Sequence, residues 1–173
     1  MLDFKEFKEA YMLLEQARIK LLFAMIPEND QDYLNEEQLE FINDMFQTEE
    51  KDGYVKITIK DILPVTSVLN KNDIKFHWLR LMHYALKDVK TQFKKVLCVV
   101  KIYSPAVFWD TDNRAIKIVL DSLRYNKIIP DDRYQYMSYM VTGEQEKEGS
   151  RTEIYLFEYD QKDIINGLIK DKI

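Results

Sequence analysis

Val55, Ile57 and Ile59 alternate with Lys56, Thr58 and Lys60. That two-residue period predicts a strand with one buried face. Residues 95–103 (Lys95 to Tyr103) hold a stronger apolar run, Val96-Leu97-Cys98-Val99-Val100, which predicts a strand inside the sheet rather than at its edge. Between them, Ile74, Trp78, Met82, Ala85 and Val89 recur at helical spacing and predict a helix over 73–92. Ile116, Val119, Leu120 and Leu123 do the same for a helix over 114–125. Strands are expected at 133–142 and 151–158, separated by the polar run Gly143–Ser150, so that they close as a hairpin. Leu63-Pro64-Val65-Thr66-Ser67 shows no period and reads as irregular.

The first fifty residues carry a different pattern. Phe7, Leu14 and Leu21 recur every seven residues, with Ala10, Ala17 and Ala24 between them. This is a narrow helical stripe over 3–26 whose alanines permit close approach of a second helix. Pro27 ends it. Asn35 with Gln38 suits a capping box, Leu34 with Leu39 a hydrophobic staple, and Leu39, Ile42 and Met45/Phe46 an apolar face. Glu49-Glu50-Lys51-Asp52-Gly53 then reads as a linker. The expected class is therefore α+β. A helical hairpin at 1–50 precedes a domain at 54–160 whose elements run β-α-β-α-β-β around a mixed sheet. A tail at 161–173 has the pattern of a short helix.

Charge follows the same division. The 173-residue chain carries a net charge of −5. Residues 1–50 hold four Lys and Arg against 13 Asp and Glu, whereas residues 51–127 hold 15 against 7. An acidic arm thus precedes a basic body able to offset phosphate charge. Apolar residues at 46%, with only four Gly and four Pro, exclude a disordered chain. No run approaches the ~20 apolar residues of a membrane span. The start Met1-Leu2-Asp3-Phe4-Lys5-Glu6 is unlike a signal peptide, which points to the cytoplasm. The single cysteine, Cys98, excludes a disulfide framework and reads as a buried thiol.

The candidate chemistry lies between 110 and 132. Asp110-Thr111-Asp112-Asn113 sets two carboxylates one residue apart just before a helix. Such a pair can face one hard cation, although the same residues also make an ordinary capped turn with Asn113 as the cap. Lys117, Asp121 and Arg124 share one helix face, where Lys117 and Asp121 stand four residues apart as a surface pair does. Asp131-Asp132 follows Pro130. Adjacent acids in that position suit an ordinary turn. Neighbouring side chains in extended backbone point opposite ways, however, so one of the two should face the side where the sheet meets the acid loop. Asp132 is the candidate for a third carboxylate. Phe108 and Trp109 beside Asp110 suit either stacking on a base or anchoring the loop. His77 and His83, six residues apart, do not share a helical face as metal ligands would.

Together these residues resemble the RusA family of Holliday junction resolvases. The family's Asp-x-Asp-Asn, helical Lys, Asp-Ala-Leu and loop ending in Asp-Asp correspond here to four stretches. They are Asp110-Thr111-Asp112-Asn113, Lys117, Asp121-Ser122-Leu123 and Ile128-Ile129-Pro130-Asp131-Asp132. The resemblance spans about 54–158. Three residues, Arg114, Ala115 and Ile116, separate Asn113 from Lys117, one more than in the family's pattern. The resemblance implies a homodimeric endonuclease, dependent on Mg²⁺ or Mn²⁺, that nicks four-way DNA junctions symmetrically. Asp110, Asp112 and Asp132 would be its metal ligands and catalytic acids and Lys117 would assist them, with Asn113, Asp121 and Asp131 in support. Many resolvases of this type are borne by phages or prophages.

Two other readings fit the same residues. One is a catalytically inactive, RusA-like regulator that binds DNA or protein, with residues 1–50 as a partner-docking or DNA-mimicking arm. The other is a metal nuclease for flaps or plain duplex, since a fold resemblance does not select a substrate.

Overall fold

The computed structural model describes residues 3, 5–7, 9–10, 13–14, 17, 36–66, 71–105, 110, 113–147 and 149–159, with the side chains of 38 and 71–75 excepted. The elements are α1 (Glu36–Asp44), β1 (Phe46–Lys51), β2 (Tyr54–Ile59), α2 (Lys71–Leu86), β3 (Val96–Ser104), α3 (Ile116–Tyr125), β4 (Met137–Gln145) and β5 (Arg151–Glu158). From β2 onward they follow one another as strand, helix, strand, helix, strand, strand. The five strands form one mixed sheet in the order β1-β2-β5-β3-β4. β3 and β4 run parallel, and the other neighbours are antiparallel. The chain is α+β, as its pattern predicts.

The alternation in the sequence sets the layers. Val55, Ile57 and Ile59 of β2, Val96, Cys98, Val100 and Ile102 of β3, and Ile154 and Leu156 of β5 are all buried on one face. They join Trp78, Leu81, Met82, Ala85 and Leu86 of α2 and Ile116, Val119, Leu120 and Leu123 of α3 in a single core. Burial pushes the Cys98 thiol up to about 12, so it stays a protonated, unreactive core group at neutral pH.

The other face is polar and aromatic. Glu153 on β5 accepts hydrogen bonds from Tyr155 Oη at 2.7 Å and Arg151 Nε at 3.1 Å, and Lys56 Nζ of β2 lies 3.3 Å away. Burial would raise its pKa, but the bonds from Tyr155, Arg151 and Lys56 outweigh that and hold it at about 2.

Two expectations are corrected here. The second N-terminal helix does not run on through Met45/Phe46 to a linker. It stops at Asp44, and Phe46–Lys51 forms an edge strand paired with β2 from Phe46↔Ile59 to Lys51↔Tyr54. The sequence Asp52-Gly53 makes the two-residue turn, with φ +86° at Gly53, where a type II turn places glycine. Nor do the last two strands form a hairpin. β5 lies between β2 and β3, and β4 is the opposite edge beside β3. Just after β4 the Glu146 amide donates to the Ser104 carbonyl at the end of β3 at 3.0 Å.

Of the first helix, the described residues between 5 and 17 are helical. A reciprocal capping box opens it: the Asp3 amide donates to Glu6 and the Glu6 amide to Asp3. Phe7 is 48% exposed and Leu14 69% exposed, so this part of the seven-residue stripe is not buried against the sheet. Leu21, Ala24, Leu34 and Asn35, and the tail at 161–173, lie outside the described residues. Among the described residues no helix is long and apolar enough to cross a membrane.

Two predictions follow from this arrangement. A Cβ at Gly53 meets nothing within 4 Å, so Gly53→Ala costs only the strain of a positive φ, about 1 kcal/mol. A fall in urea midpoint of that size at unchanged slope is the expected result. The depressed pKa of Glu153 stabilises the fold fully above about pH 4.5, and that contribution is lost as pH falls through about 2. The melting temperature of Glu153→Gln should therefore lie below that of the wild type at pH 7 and converge with it near pH 2. A gap that persists unchanged at pH 2 contradicts the ionised network.

Candidate functional site

The irregular segment after β2 organises the site. Leu63 is buried, so both its peptide groups need partners. Its amide donates to the Thr152 hydroxyl of β5 at 3.0 Å, and its carbonyl accepts from Arg114 Nη1 at 2.7 Å. The Thr152 hydroxyl in turn donates to the Asp61 carbonyl at 2.8 Å. Beside this clamp the backbone of 64–66 pairs with that of 113–115. Val65 and Arg114 form an antiparallel bridge, the Thr66 amide donates to the Asn113 carbonyl at 2.8 Å, and the Ala115 amide donates to the Pro64 carbonyl at 3.0 Å.

That pairing displaces the expected cap. α3 begins at Ile116 with Ala115 at its N-cap and no capping side chain. Asn113 instead turns back, and its Nδ2 donates to Asp110 Oδ2 at 3.1 Å. Asp110 is exposed and has one oxygen oriented by this bond. Asp112, Phe108 and Trp109 lie outside the described residues.

α3 carries the second half. Lys117, in its first turn, donates to Asp121 Oδ1 at 3.0 Å and stands 3.8 Å from Asp132 Oδ2. Arg124 Nη1 stands 3.8 Å from the other Asp132 oxygen. Asp131 turns the opposite way and pairs with Arg133 Nε at 2.9 Å, while its Oδ1 accepts from the Asp132 amide at 2.8 Å. The loop after α3 therefore returns Asp132 to Lys117 and Asp121. The Asp132 side chain is 26% exposed. A hydrogen bond shared with the Asp131 side chain lowers its pKa first, against desolvation, and its own backbone amide, Arg124 and Lys117 lower it further. Asp121, and more weakly Asp132, raise the Lys117 pKa and hold it fully charged.

No family model and no curated protein matches the chain. Among solved structures it is similar to the cell wall anchor of the T6SS from Pseudomonas aeruginosa, at 14% identity and a TM-score of 0.38. That likeness covers 69% of this chain and 92% of the other, and at this score it carries no argument about fold or function.

Among the described residues no three acidic, His or Cys side chains are gathered as a metal site would need. The two described candidates do fit a hard cation chemically. Asp110 and Asp132 offer oxygen donors, Asp132 is ionised well into acid, and the one thiol is buried in β3. Sequence reasoning missed the role of Arg114 altogether. It also left His77 open between surface and core. His77 is buried, with Nε2 3.3 Å from Asp61 Oδ2, whereas His83 is exposed and bonds Asn126 at 2.9 Å.

The charge arrangement has a direct test. The Asp132 carboxyl should titrate below 3.8 by carbon-detected NMR. Arg124→Met and Lys117→Met should each raise its midpoint, and added salt should shrink both effects. A wild-type midpoint at or above 3.8 contradicts this account.

Proposed function

We propose that the chain is a metal-dependent endonuclease acting on branched DNA, with Asp110, Asp112 and Asp132 as its acids and Lys117 beside them. The observation that carries this reading is the return of Asp132 to Lys117 and Asp121 across the loop after α3. Three motif residues separated in sequence thereby share one surface, and Asp110 stands on the loop that leads into the same helix. The pattern that resembles the RusA family is the same set of residues.

On this reading Asp110, Asp112 and Asp132 hold a Mg²⁺ or Mn²⁺ ion. The ion supplies Lewis-acid polarisation of a phosphodiester oxygen and lowers the pKa of an attacking water. The chain's own groups do the rest. Lys117, exposed and charged, balances negative charge that develops on the phosphoryl oxygens. Asn113 fixes the direction of the Asp110 carboxylate. Arg124 and Arg133 contact backbone phosphates, which positions DNA without reading its sequence. A homodimer would present two such sites to a two-fold symmetric junction.

A second reading is favoured by one specific observation. Lys117 and Arg124 already face the two oxygens of Asp132, so this carboxylate is balanced without any ion. An ion-paired corner of that kind suits a RusA-like binding protein that performs no cleavage, with the acidic N-terminal residues docking a partner. Truncation tests of that arm must stop before α1, because β1 is part of the sheet.

A labelled four-way junction incubated with Mg²⁺ and with EDTA separates the two readings. Cleavage with Mg²⁺ alone is expected. Asp132→Asn should slow it by roughly 10³-fold, about 4 kcal/mol of barrier, and Lys117→Met by roughly 10²-fold, with junction binding retained in both. Wild-type protein that binds the junction yet never cuts it, or Asp132→Asn that cuts at the wild-type rate, refutes the nuclease assignment.

A further inference from the structure

We infer that Arg114 is a positioning residue, whose buried guanidinium locks the loop carrying Asp110 onto the segment 63–66 and, through Asn113, fixes the Asp110 carboxylate. The inference rests on the proposed nuclease reading only for what that carboxylate does.

Arg114 is 3% exposed, an unusual place for a guanidinium on a loop beside an exposed carboxylate. Its Nη1 donates to the Leu63 carbonyl at 2.7 Å, a charge-assisted bond in a dry setting, where such bonds are strong. The backbone of Arg114 bridges Val65 at the same point. Side chain and main chain thus grip the same neighbouring segment, and that segment is itself fixed to β5 through Thr152. Thr66 completes the grip, with its amide at 2.8 Å and its hydroxyl at 3.1 Å from the Asn113 carbonyl.

Asn113, held at its carbonyl, has its amide and side chain free to turn back. They donate to the Asp110 carbonyl at 3.3 Å and to Asp110 Oδ2 at 3.1 Å. An exposed aspartate would otherwise sample several rotamers, and holding one in advance removes that entropy from ligand binding. A rigid chain of contacts therefore runs from β5 through Leu63, Arg114 and Asn113 to Asp110. Arg114 is its only link made by a buried charged side chain, and it lies within the stretch that is one residue longer than the family's spacing.

The test compares wild type with Arg114→Met, Arg114→Lys and Thr66→Val. Thr66 is exposed, so Thr66→Val weakens the same grip from the surface without disturbing the core, should Arg114→Met fail to fold. Amide hydrogen exchange at 66, 113 and 115 is read against the β3 amides of Cys98 and Val100, and Mn²⁺ affinity is measured by its paramagnetic signal. Arg114→Met should speed exchange at the three loop amides at least about tenfold, with β3 unchanged, and weaken Mn²⁺ binding about tenfold or more. Arg114→Lys, which can still donate to Leu63, should restore much of both, and Thr66→Val should show a smaller change in the same direction.

Unchanged loop exchange in Arg114→Met, or in Thr66→Val if the former does not fold, overturns the anchor. Faster loop exchange with unaltered Mn²⁺ affinity overturns the positioning role and leaves Arg114 structural. Wild-type protein that binds no Mn²⁺ defeats the nuclease reading instead, and the exchange data still decide whether Arg114 holds the loop.

Discussion

Leu63 ties β5 to the entry of α3 through its peptide groups. Its peptide group lies in the core outside any strand, where an unpaired amide or carbonyl would cost on the order of 1–3 kcal/mol. Its two partners come from opposite directions. Thr152 reaches it from β5, and Arg114 reaches it from the entry to α3. Neither partner is local: one is 89 residues away and the other 51. The order of β2 and β5 in the sheet and the start of α3 must both be correct before Leu63 is satisfied, so one buried backbone group couples the sheet to the helix that bears the candidate site.

The candidate site inherits its shape from that coupling. Because residues 113–115 are engaged with 64–66, the helix cannot begin at Arg114, and Asn113 is released from capping to hold Asp110. Because α3 then begins at Ile116, Lys117 falls in the first turn with Asp121 one turn on and Arg124 beyond, and the loop lays Asp132 against that face. The two acids are thus oriented by different means. Asp110 is directed by a neutral hydrogen bond within its own loop, whereas Asp132 is drawn to cations on a helix.

The buried strands and helices were legible because their signal is local. A two-residue period in β2 and the helical stripe of α3 follow from burial on one face, and every stripe residue of α3 is buried. β1 was not legible from periodicity. Phe46-Gln47-Thr48-Glu49-Glu50-Lys51 is an edge strand, and charged edge strands resist pairing with other chains at the expense of any apolar alternation. The Asp-Gly turn was the available signal and was hidden inside what read as a linker. The hairpin expected for the last two strands failed for a different reason. β3, whose apolar run marks it as an interior strand, took β4 and β5 on its two sides. Of the site, the Lys117–Asp121 pair was legible because residues four apart on a helix are neighbours. Arg114 was not, since a lone arginine next to Asn reads as surface until a distant carbonyl is known to need it.

The ion pairs around Asp132 bear on both functional readings, and their energetics decide how far they separate them. Lys117 is 79% exposed at the side chain and each cation sits 3.8 Å from its oxygen, so these are screened, loosely held pairs. Pairs of this kind add little to stability. A divalent ion binding the same oxygens would carry twice the charge at roughly 2.1 Å, and its direct attraction would exceed that of either side chain. Lys117 is long enough to swing from Asp132 toward a phosphate while keeping its closer bond to Asp121 at 3.0 Å. The cations therefore form no barrier to a metal. They keep the carboxylate ionised and ready, and they can be displaced at low cost. What would resist a metal is a failure to bring the Asp110 loop to the same ion, and the stiffness of the contacts running through Arg114 governs that step.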